Sequence, residues 1–241
     1  MVYILTYTDI GKGVPIVFIH GLGNRKEMWR FQHKLSENYR LILVDLRGHG
    51  ETEIEKDITM FNFAKDIIEL LEHLEVDRVF ICGLSLGGLV AQEICKQKPD
   101  VVRGLILANT TTYIPYMANI MVSQFINKSK EDIIDAVMSW SLFNKKLEKE
   151  ARSSFFIRDA FYSCAKAPIG INYTKHLLTM RKPMLIISGT HDMVTPMFYS
   201  LSMYLMTCNS KFVSLNAGHL SNIEKPEEFN RSINNFIKDV S

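Results

Sequence analysis

A serine flanked by glycines stands where an apolar run gives way to a helical pattern, in the segment VFICGLSLGGLVAQEICK, residues 79–96. A strand that turns abruptly into a helix forces the residue at the bend into a strained conformation and projects its side chain above the sheet. Glycines at positions 83 and 87 leave room for such a bend. Ser85 is therefore a candidate nucleophile; the alternative is a turn serine chosen for its small size.

The elements around this serine follow a regular alternation in the first half of the chain. Short apolar runs alternate with helical patterns, and a helical pattern with an apolar face closes the chain. This alternation predicts an α/β fold with a doubly wound, mostly parallel sheet. The predicted strands are Ile16–His20, Leu41–Asp45, Val79–Cys82, Leu105–Ala108, Met184–Ser188 and Lys211–Leu215.

The alternation stops between residues 110 and 183, where the pattern is helical throughout. We expect one catalytic domain, with an α/β core formed by residues 1–109 and 184–241 and a helical cap insertion at 110–183. The apolar side chains of the cap either line a pocket for a hydrophobic group or pack between cap helices. They are Tyr113, Tyr116, Met117, Met121, Phe125, Trp140 and Phe143.

Residues that follow the predicted strands are candidates for a site, because ligands of parallel α/β sheets bind beyond the carboxyl ends of the strands. Asp192 follows the run at 184–188, and His219 follows the last strand in a loop that contains glycine. With Ser85 they give the chain order Ser, Asp, His. The rival position for an acid holds Asn109, which cannot carry the negative charge that supports an imidazolium.

Other polar residues near these strand ends are expected to be structural. His20 and His49 lie in turns and are expected to hydrogen-bond the backbone. His191 is expected to point away from its neighbour Asp192. Glu224 is expected to hold the loop that carries His219.

Two backbone amides are candidate donors to a developing oxyanion. The N–H of Leu86 lies at the start of the helix after Ser85, where donors lack internal partners. The N–H of Leu22 lies in the loop HGLG, whose glycines allow a close approach. Each such donor contributes roughly 3–4 kcal/mol of transition-state stabilisation.

Five motifs resemble those of the α/β-hydrolase superfamily in order and spacing: HGLG, DLRGHG, GLSLGG, SGTHDMVTP and AGHLSNIEKPEEF. The resemblance covers nearly the whole chain. It implies that Ser85 is the nucleophile, Asp192 the acid and His219 the base, and that Leu22 and Leu86 supply the oxyanion amides. It implies no cofactor and no metal. The serine argues against the dehalogenase and epoxide hydrolase branches, which use aspartate at that position.

Further segments, GLGNRKEMW and SLGGLVAQE, are similar to small bacterial carboxylesterases and 3-oxoadipate enol-lactonase-like proteins. The implied activity is hydrolysis of a carboxylic ester or related carbonyl compound through an acyl-enzyme. The expected substrate is a small molecule with an apolar acyl or aryl group. A carbon–carbon bond hydrolase or enol-lactonase with the same triad is one alternative. A hydrolase-fold signalling receptor or binding module is another.

The overall composition excludes several partners. The net charge is +2 and no long basic run occurs, which argues against nucleic acid. The opening MVYILTYTDIGKG lacks the features of an export signal, and no apolar run approaches the roughly 18 residues of a membrane span. We therefore expect a cytoplasmic protein. Four cysteines without paired spacing are expected to be structural: Cys82, Cys95, Cys164 and Cys208.

Overall fold

The structure, a computed structural model, describes residues 5–240 and contains a seven-stranded sheet. The strands are β1 (Tyr7–Ile10), β2 (Val14–Ile19), β3 (Tyr39–Val44), β4 (Val79–Leu84), β5 (Val102–Ala108), β6 (Met184–Gly189) and β7 (Ser210–Leu215). Their order is β1-β3-β2-β4-β5-β6-β7, and only the β1–β3 pair is antiparallel. The predicted mostly parallel sheet is confirmed.

Strand β1 is an element that the sequence pattern did not predict. It has four residues, YTDI, and pairs with β3 from Tyr7 opposite Val44 to Ile10 opposite Leu41. None of its residues is fully buried. A short edge strand with neither a continuous apolar run nor clear alternation gives little periodic signal. Residues 1–4 and 241 of the predicted core lie outside the described residues.

The helices cover both faces of the sheet and fill the long connection between β5 and β6. They are α1 (Met60–His73), α2 (Leu86–Gln97), α3 (Ala118–Ser123), α4 (Lys130–Ser141), α5 (Glu148–Arg152), α6 (Phe161–Lys166), α7 (Thr174–Thr179), α8 (Met197–Met206), α9 (Ser221–Glu224) and α10 (Pro226–Val240). A long 3₁₀ helix spans Lys26–Glu37, and shorter ones span Pro99–Val101 and Lys145–Leu147. In the described part of the chain, no helix is long and apolar enough to cross a membrane.

Two apolar cores lie on opposite faces of the sheet. Helices α1 and α2 contribute to one core, and α10 and the long 3₁₀ helix contribute to the other. Helix α10 buries Phe229, Ile233, Phe236 and Ile237, whose spacing is that of one helical face. Full burial of each such side chain contributes about 1.5–3 kcal/mol. Both cores hold the sheet rigid, so that residues beyond its strand ends have defined positions.

Candidate active site

Ser85 occupies a sharp bend between β4 and α2. Its backbone angles are φ 55° and ψ −116°, a conformation that costs a non-glycine residue about 1–3 kcal/mol. Neighbouring segments hold the bend. The amide of Ser85 donates to the carbonyl of Ala108 at 3.0 Å, and its carbonyl accepts from Gly88 N at 2.9 Å and Thr110 Oγ1 at 2.7 Å. The predicted bend is therefore present at this serine.

Gly83 and Gly87 are required by the close approach of chain segments around the bend. A Cβ atom on Gly83 would lie 2.2 Å from the carbonyl oxygen of Gly87. A Cβ atom on Gly87 would lie 2.1 Å from the carbonyl oxygen of Ile19 in β2. Any larger residue would push the start of α2 away from the sheet and displace Ser85.

Asp192 and His219 meet beyond the ends of β6 and β7. His219 Nδ1 lies 2.8 Å from Asp192 Oδ2, and Thr195 Oγ1 donates to the same oxygen at 2.8 Å. The amides of Val194 and Thr195 donate to Asp192 Oδ1 at 2.8 and 2.9 Å. Burial alone would raise the pKa of Asp192, but the charge of His219 and hydrogen bonds from His219, Asn109 and the Thr195 amide lower it to about 2. Asp192 is therefore an anion that orients His219.

Asn109 is a further member of this cluster, although sequence reasoning considered its position only as a rival place for the acid. It is fully buried, with φ 46°. Its Nδ2 donates to Asp192 Oδ2 at 2.8 Å and to the Gly218 carbonyl at 3.3 Å. Ser221 Oγ donates to Asn109 Oδ1 at 2.5 Å. Asn109 therefore links Asp192 to the loop that carries His219. The feature of the sequence that could have placed Asn109 in the site is its position directly after β5.

The loop that carries His219 is held from two sides. Glu224 accepts from the Gly218 amide at 2.9 Å and from the Asn144 amide at 2.7 Å. The amide of His219 donates to the carbonyl of Ser141, at the end of α4, at 2.7 Å. The expected role of Glu224 is thus visible in its contacts. The connection between β5 and β6 is also bonded directly to the His219 loop.

The two candidate oxyanion amides belong to different segments of the chain. Leu86 is the first residue of α2, and Leu22 lies in the loop after β2. The carbonyl of Gly21 accepts from His20 Nδ1 at 2.8 Å and from the Asn24 amide at 3.2 Å. Because the peptide is planar and trans, these bonds also fix the direction of the Leu22 N–H in the same peptide unit.

His20 and His49 form a buried pair behind this loop. Their ring centroids are 4.9 Å apart. His20 Nε2 accepts from the Leu46 amide at 3.1 Å, so the proton of a neutral ring lies on Nδ1. Burial lowers the pKa of His20 to about 4, and burial together with the neighbouring His20 lowers the pKa of His49 to about 3. Both rings are neutral at pH 7.

The histidine pair predicts a loss of stability in acid. Below pH 6.5 histidine binds a proton in the unfolded chain, whereas the buried histidine of the folded chain stays neutral until about pH 4. Because the unfolded state binds more protons, the free energy of unfolding falls as the pH drops from 6.5 toward 4. For His20 alone the loss is about 3 kcal/mol at pH 4. Urea unfolding between pH 7 and pH 4 measures it. His49→Gln should flatten the dependence, whereas exposed His73→Gln should leave it unchanged. Identical slopes for wild type and His49→Gln would contradict this assignment.

In the described part of the chain, neither the His191 side chain nor any of the four cysteines hydrogen-bonds to Asp192 or His219. His191 stacks on Phe143 with centroids 3.8 Å apart, and its Nε2 lies 2.9 Å from Asn216 Oδ1, so it does point away from Asp192. Burial raises the pKa of the Cys82, Cys95 and Cys164 thiols, whereas Cys208 is exposed. Within residues 5–240, no group of three or more His, Cys, Asp or Glu side chains is arranged to hold a metal ion.

A cavity of about 380 Å³ brings the predicted residues together. Ser85, His219, Leu22 and Leu86 all line it, as do Gly21 and Thr195. Asp192 stands behind His219 and is buried. Of the seven apolar side chains expected in the cap, three reach the cavity wall, and they are Met121, Phe125 and Trp140. The remainder of the wall is mostly aliphatic, with contributions from α2, α3, α4 and α6.

Comparison with known proteins agrees with this fold. The family model described as alpha/beta hydrolase fold matches residues 14–226. The chain is 27% identical to 3-oxoadipate enol-lactonase 1 of Acinetobacter baylyi, over 93% of this chain and 89% of that protein.

Two solved structures extend the comparison. An enol-lactonase from Burkholderia xenovorans LB400 is 26% identical, with a TM-score of 0.90, over 97% of this chain and 96% of that one. A thermophilic esterase from Thermogutta terrifontis is 25% identical, with a TM-score of 0.88, over 98% and 93% of the two chains. Fold, motif order and the match over most of the chain agree, and the protein is therefore an enzyme of the α/β-hydrolase family.

Proposed function

We propose that the protein hydrolyses a carboxylic ester with an apolar acyl or aryl group, through an acyl-enzyme on Ser85. One observation carries the proposal: Ser85, at a strained bend, and His219, bonded to Asp192, line the same largely apolar cavity. The structural relatives, an esterase and an enol-lactonase among them, support hydrolysis of an ester bond.

In this mechanism His219 acts as the general base. Its Nδ1 faces Asp192, which holds the imidazole in the tautomer whose Nε2 is free to accept a proton. His219 takes the proton of Ser85 as the serine oxygen attacks the substrate carbonyl. Asp192, anionic because its pKa is about 2, stabilises the imidazolium that results. The proton then passes to the leaving alcohol, and the acyl-enzyme remains.

Deacylation repeats these steps with water as the nucleophile. His219 removes a proton from the water, which attacks the acyl carbonyl, and Ser85 leaves with a proton returned from His219. In both steps the negative charge on the carbonyl oxygen is bound by the amides of Leu22 and Leu86. The hydrogen bonds to the Gly21 carbonyl orient one of these donors before the substrate arrives.

A lactonase is the second candidate, favoured by the enol-lactonase relatives. A lactone is a cyclic ester, and the same groups would open it. The cavity wall bears on the charge of the substrate, since Lys128 is the sole lysine or arginine among the described residues that line it. A mostly apolar wall suits a neutral substrate better than one with carboxylate groups. Assays compare 3-oxoadipate enol-lactone, a neutral lactone and neutral esters. Higher kcat/KM is expected for the neutral compounds than for the enol-lactone, and the comparison of the neutral lactone with the esters distinguishes a lactonase from an esterase.

The proposal predicts a dependence on acyl length that the cavity sets. Each methylene group that enters the apolar cavity contributes up to about 0.8 kcal/mol, or about fourfold in kcat/KM, until the space is full. A series of p-nitrophenyl esters from acetate upward should therefore show rising kcat/KM, followed by a plateau or a fall. A flat series would indicate that the acyl group does not enter this cavity.

A matched pair of variants on α4 tests where the acyl group lies. Val137 lines the cavity, whereas Ser139 is exposed on the same helix and does not line it. Val137→Phe should move the optimum toward shorter acyl chains, and Ser139→Phe should leave it in place. An unchanged optimum in both variants would place the acyl group elsewhere.

A further inference from the structure

Helix α8 presents an apolar stripe to solvent, the reverse of what a surface helix normally does. Phe198 and Leu205 are 71% and 75% exposed, and the other members are each more than a third exposed. The stripe, called here the α8 stripe, consists of Met197, Phe198, Leu201, Tyr204 and Leu205. These positions repeat at the spacing of one helical face.

The opposite face of α8 is covered by its own fold. It buries Ser200 and Met203, and the helix contacts β6 and β7. Eight of its ten residues are apolar or aromatic, and a helix of that composition is normally enclosed. Helix α10 gives the contrast within the same chain, since it buries one apolar face and carries Glu, Arg, Lys and Asp side chains over the rest of its surface. The α8 stripe thus lacks a partner in the described part of the chain.

We propose that the α8 stripe is the interface of a twofold dimer, in which α8 of one protomer packs antiparallel against α8 of a second copy of this chain. Fully exposed side chains of this size present about 150–250 Å². At the observed exposures, the stripe and the adjacent Met193 therefore offer roughly 650 Å² of apolar area. This area is most of the roughly 800 Å² that each partner contributes to an interface of standard size.

The charge pattern favours a second copy over other partners. Residues 193–210 contain no Asp, Glu, Lys or Arg. Two copies of such a surface meet without like-charge repulsion, and a twofold axis requires only that the surface fit itself. Charge depletion is also typical of the centre of protein interfaces. Helices that lie on membranes instead carry lysine or arginine on their polar face, and this segment has neither.

Light scattering coupled to size-exclusion chromatography, over a range of protein concentrations, tests the proposal. Wild type is expected at the mass of two chains, and Leu205→Glu at the mass of one. Phe61 on α1 is a matched control, because it is an exposed apolar residue outside the stripe. Phe61→Glu should remain dimeric. A monomeric wild type, or a dimer that survives Leu205→Glu, would overturn the proposal.

Two further measurements check that Leu205→Glu is folded and that the interface lies at α8. Circular dichroism and turnover of p-nitrophenyl acetate show that Leu205→Glu is folded, since the residue does not line the cavity. Leu201 lies at the middle of α8, so Leu201→Cys in a Cys208→Ser background should cross-link to its own copy under mild oxidation. Phe61→Cys in that background should not cross-link. Absence of the Leu201 cross-link in a dimer would show that the interface lies elsewhere. Sedimentation of wild type with phosphatidylcholine vesicles would show that the α8 stripe binds a lipid surface instead.

Discussion

Ser85→Ala is expected to abolish ester turnover, with kcat falling on the order of 10⁶-fold, as when the nucleophile of a Ser-His-Asp triad is removed. Alanine has no oxygen to form the acyl-enzyme, while the amides of Leu22 and Leu86 remain. The bend should survive, because its hydrogen bonds come from the backbone of residue 85. Side-by-side assays of p-nitrophenyl esters and fluorophosphonate labelling, read by mass spectrometry, measure the loss.

Ser141 supplies the matched control for this experiment. It is a second serine on the cavity wall, and its backbone carbonyl, which no side-chain change removes, accepts from the His219 amide. Ser141→Ala should keep both labelling and turnover. Retained ester hydrolysis in a folded Ser85→Ala protein would refute the proposed mechanism. Labelling of wild type without turnover would show a formed site with a different substrate class, and would favour the lactone candidate.

Asp192→Asn is expected to lower kcat by about 10⁴-fold, the effect of the same change in a serine protease triad. The carboxylate accepts from His219, Asn109 and Thr195, and an amide cannot accept from all of them. Its NH₂ group would favour the wrong tautomer of His219 and leave the imidazolium without a counter-charge. Steady-state kinetics on the preferred p-nitrophenyl ester give the change in kcat.

Asp45→Asn separates this catalytic effect from a loss of stability. Asp45 is also fully buried in a hydrogen-bond network, with Lys26 and the Glu51 amide, but it does not line the cavity. Its substitution should lower the free energy of unfolding while kcat of the folded protein changes little. If Asp192→Asn loses less than tenfold in kcat, another group acts as the acid.

Much of the fold could be predicted because its signals are local. Each buried strand is a continuous apolar run, since helices cover both of its faces, and each major helix carries its own period. The position of Ser85 follows from the same kind of signal, because a tight strand-to-helix bend requires glycine at fixed offsets from it. Strand β1 was not predicted, because it is a strand through its pairing with β3 and its own residues show no strand pattern.

The contacts among the site residues could not be predicted in the same way. Asn109, Asp192 and Ser221 are far apart in the chain, and their hydrogen bonds exist because β5, β6 and β7 are neighbours in the sheet. The amide side chain of Asn109 ruled it out as the acid, yet the sequence did not show that Asn109 binds the acid. The sequence likewise did not show how many cap side chains reach the cavity. Apolar residues at helical spacing can either pack between cap helices or line a pocket.

The sequence by itself determined six of the seven strands, the bend at Ser85 and the candidates that follow the strands, because periodicity and backbone strain act over a few neighbouring residues. Only the tertiary structure decided which of those candidates meet, how large the cavity is, and that α8 exposes its apolar side. Those properties depend on which distant segments pack together, and the side of a mostly apolar helix that faces the sheet is not encoded in its own pattern.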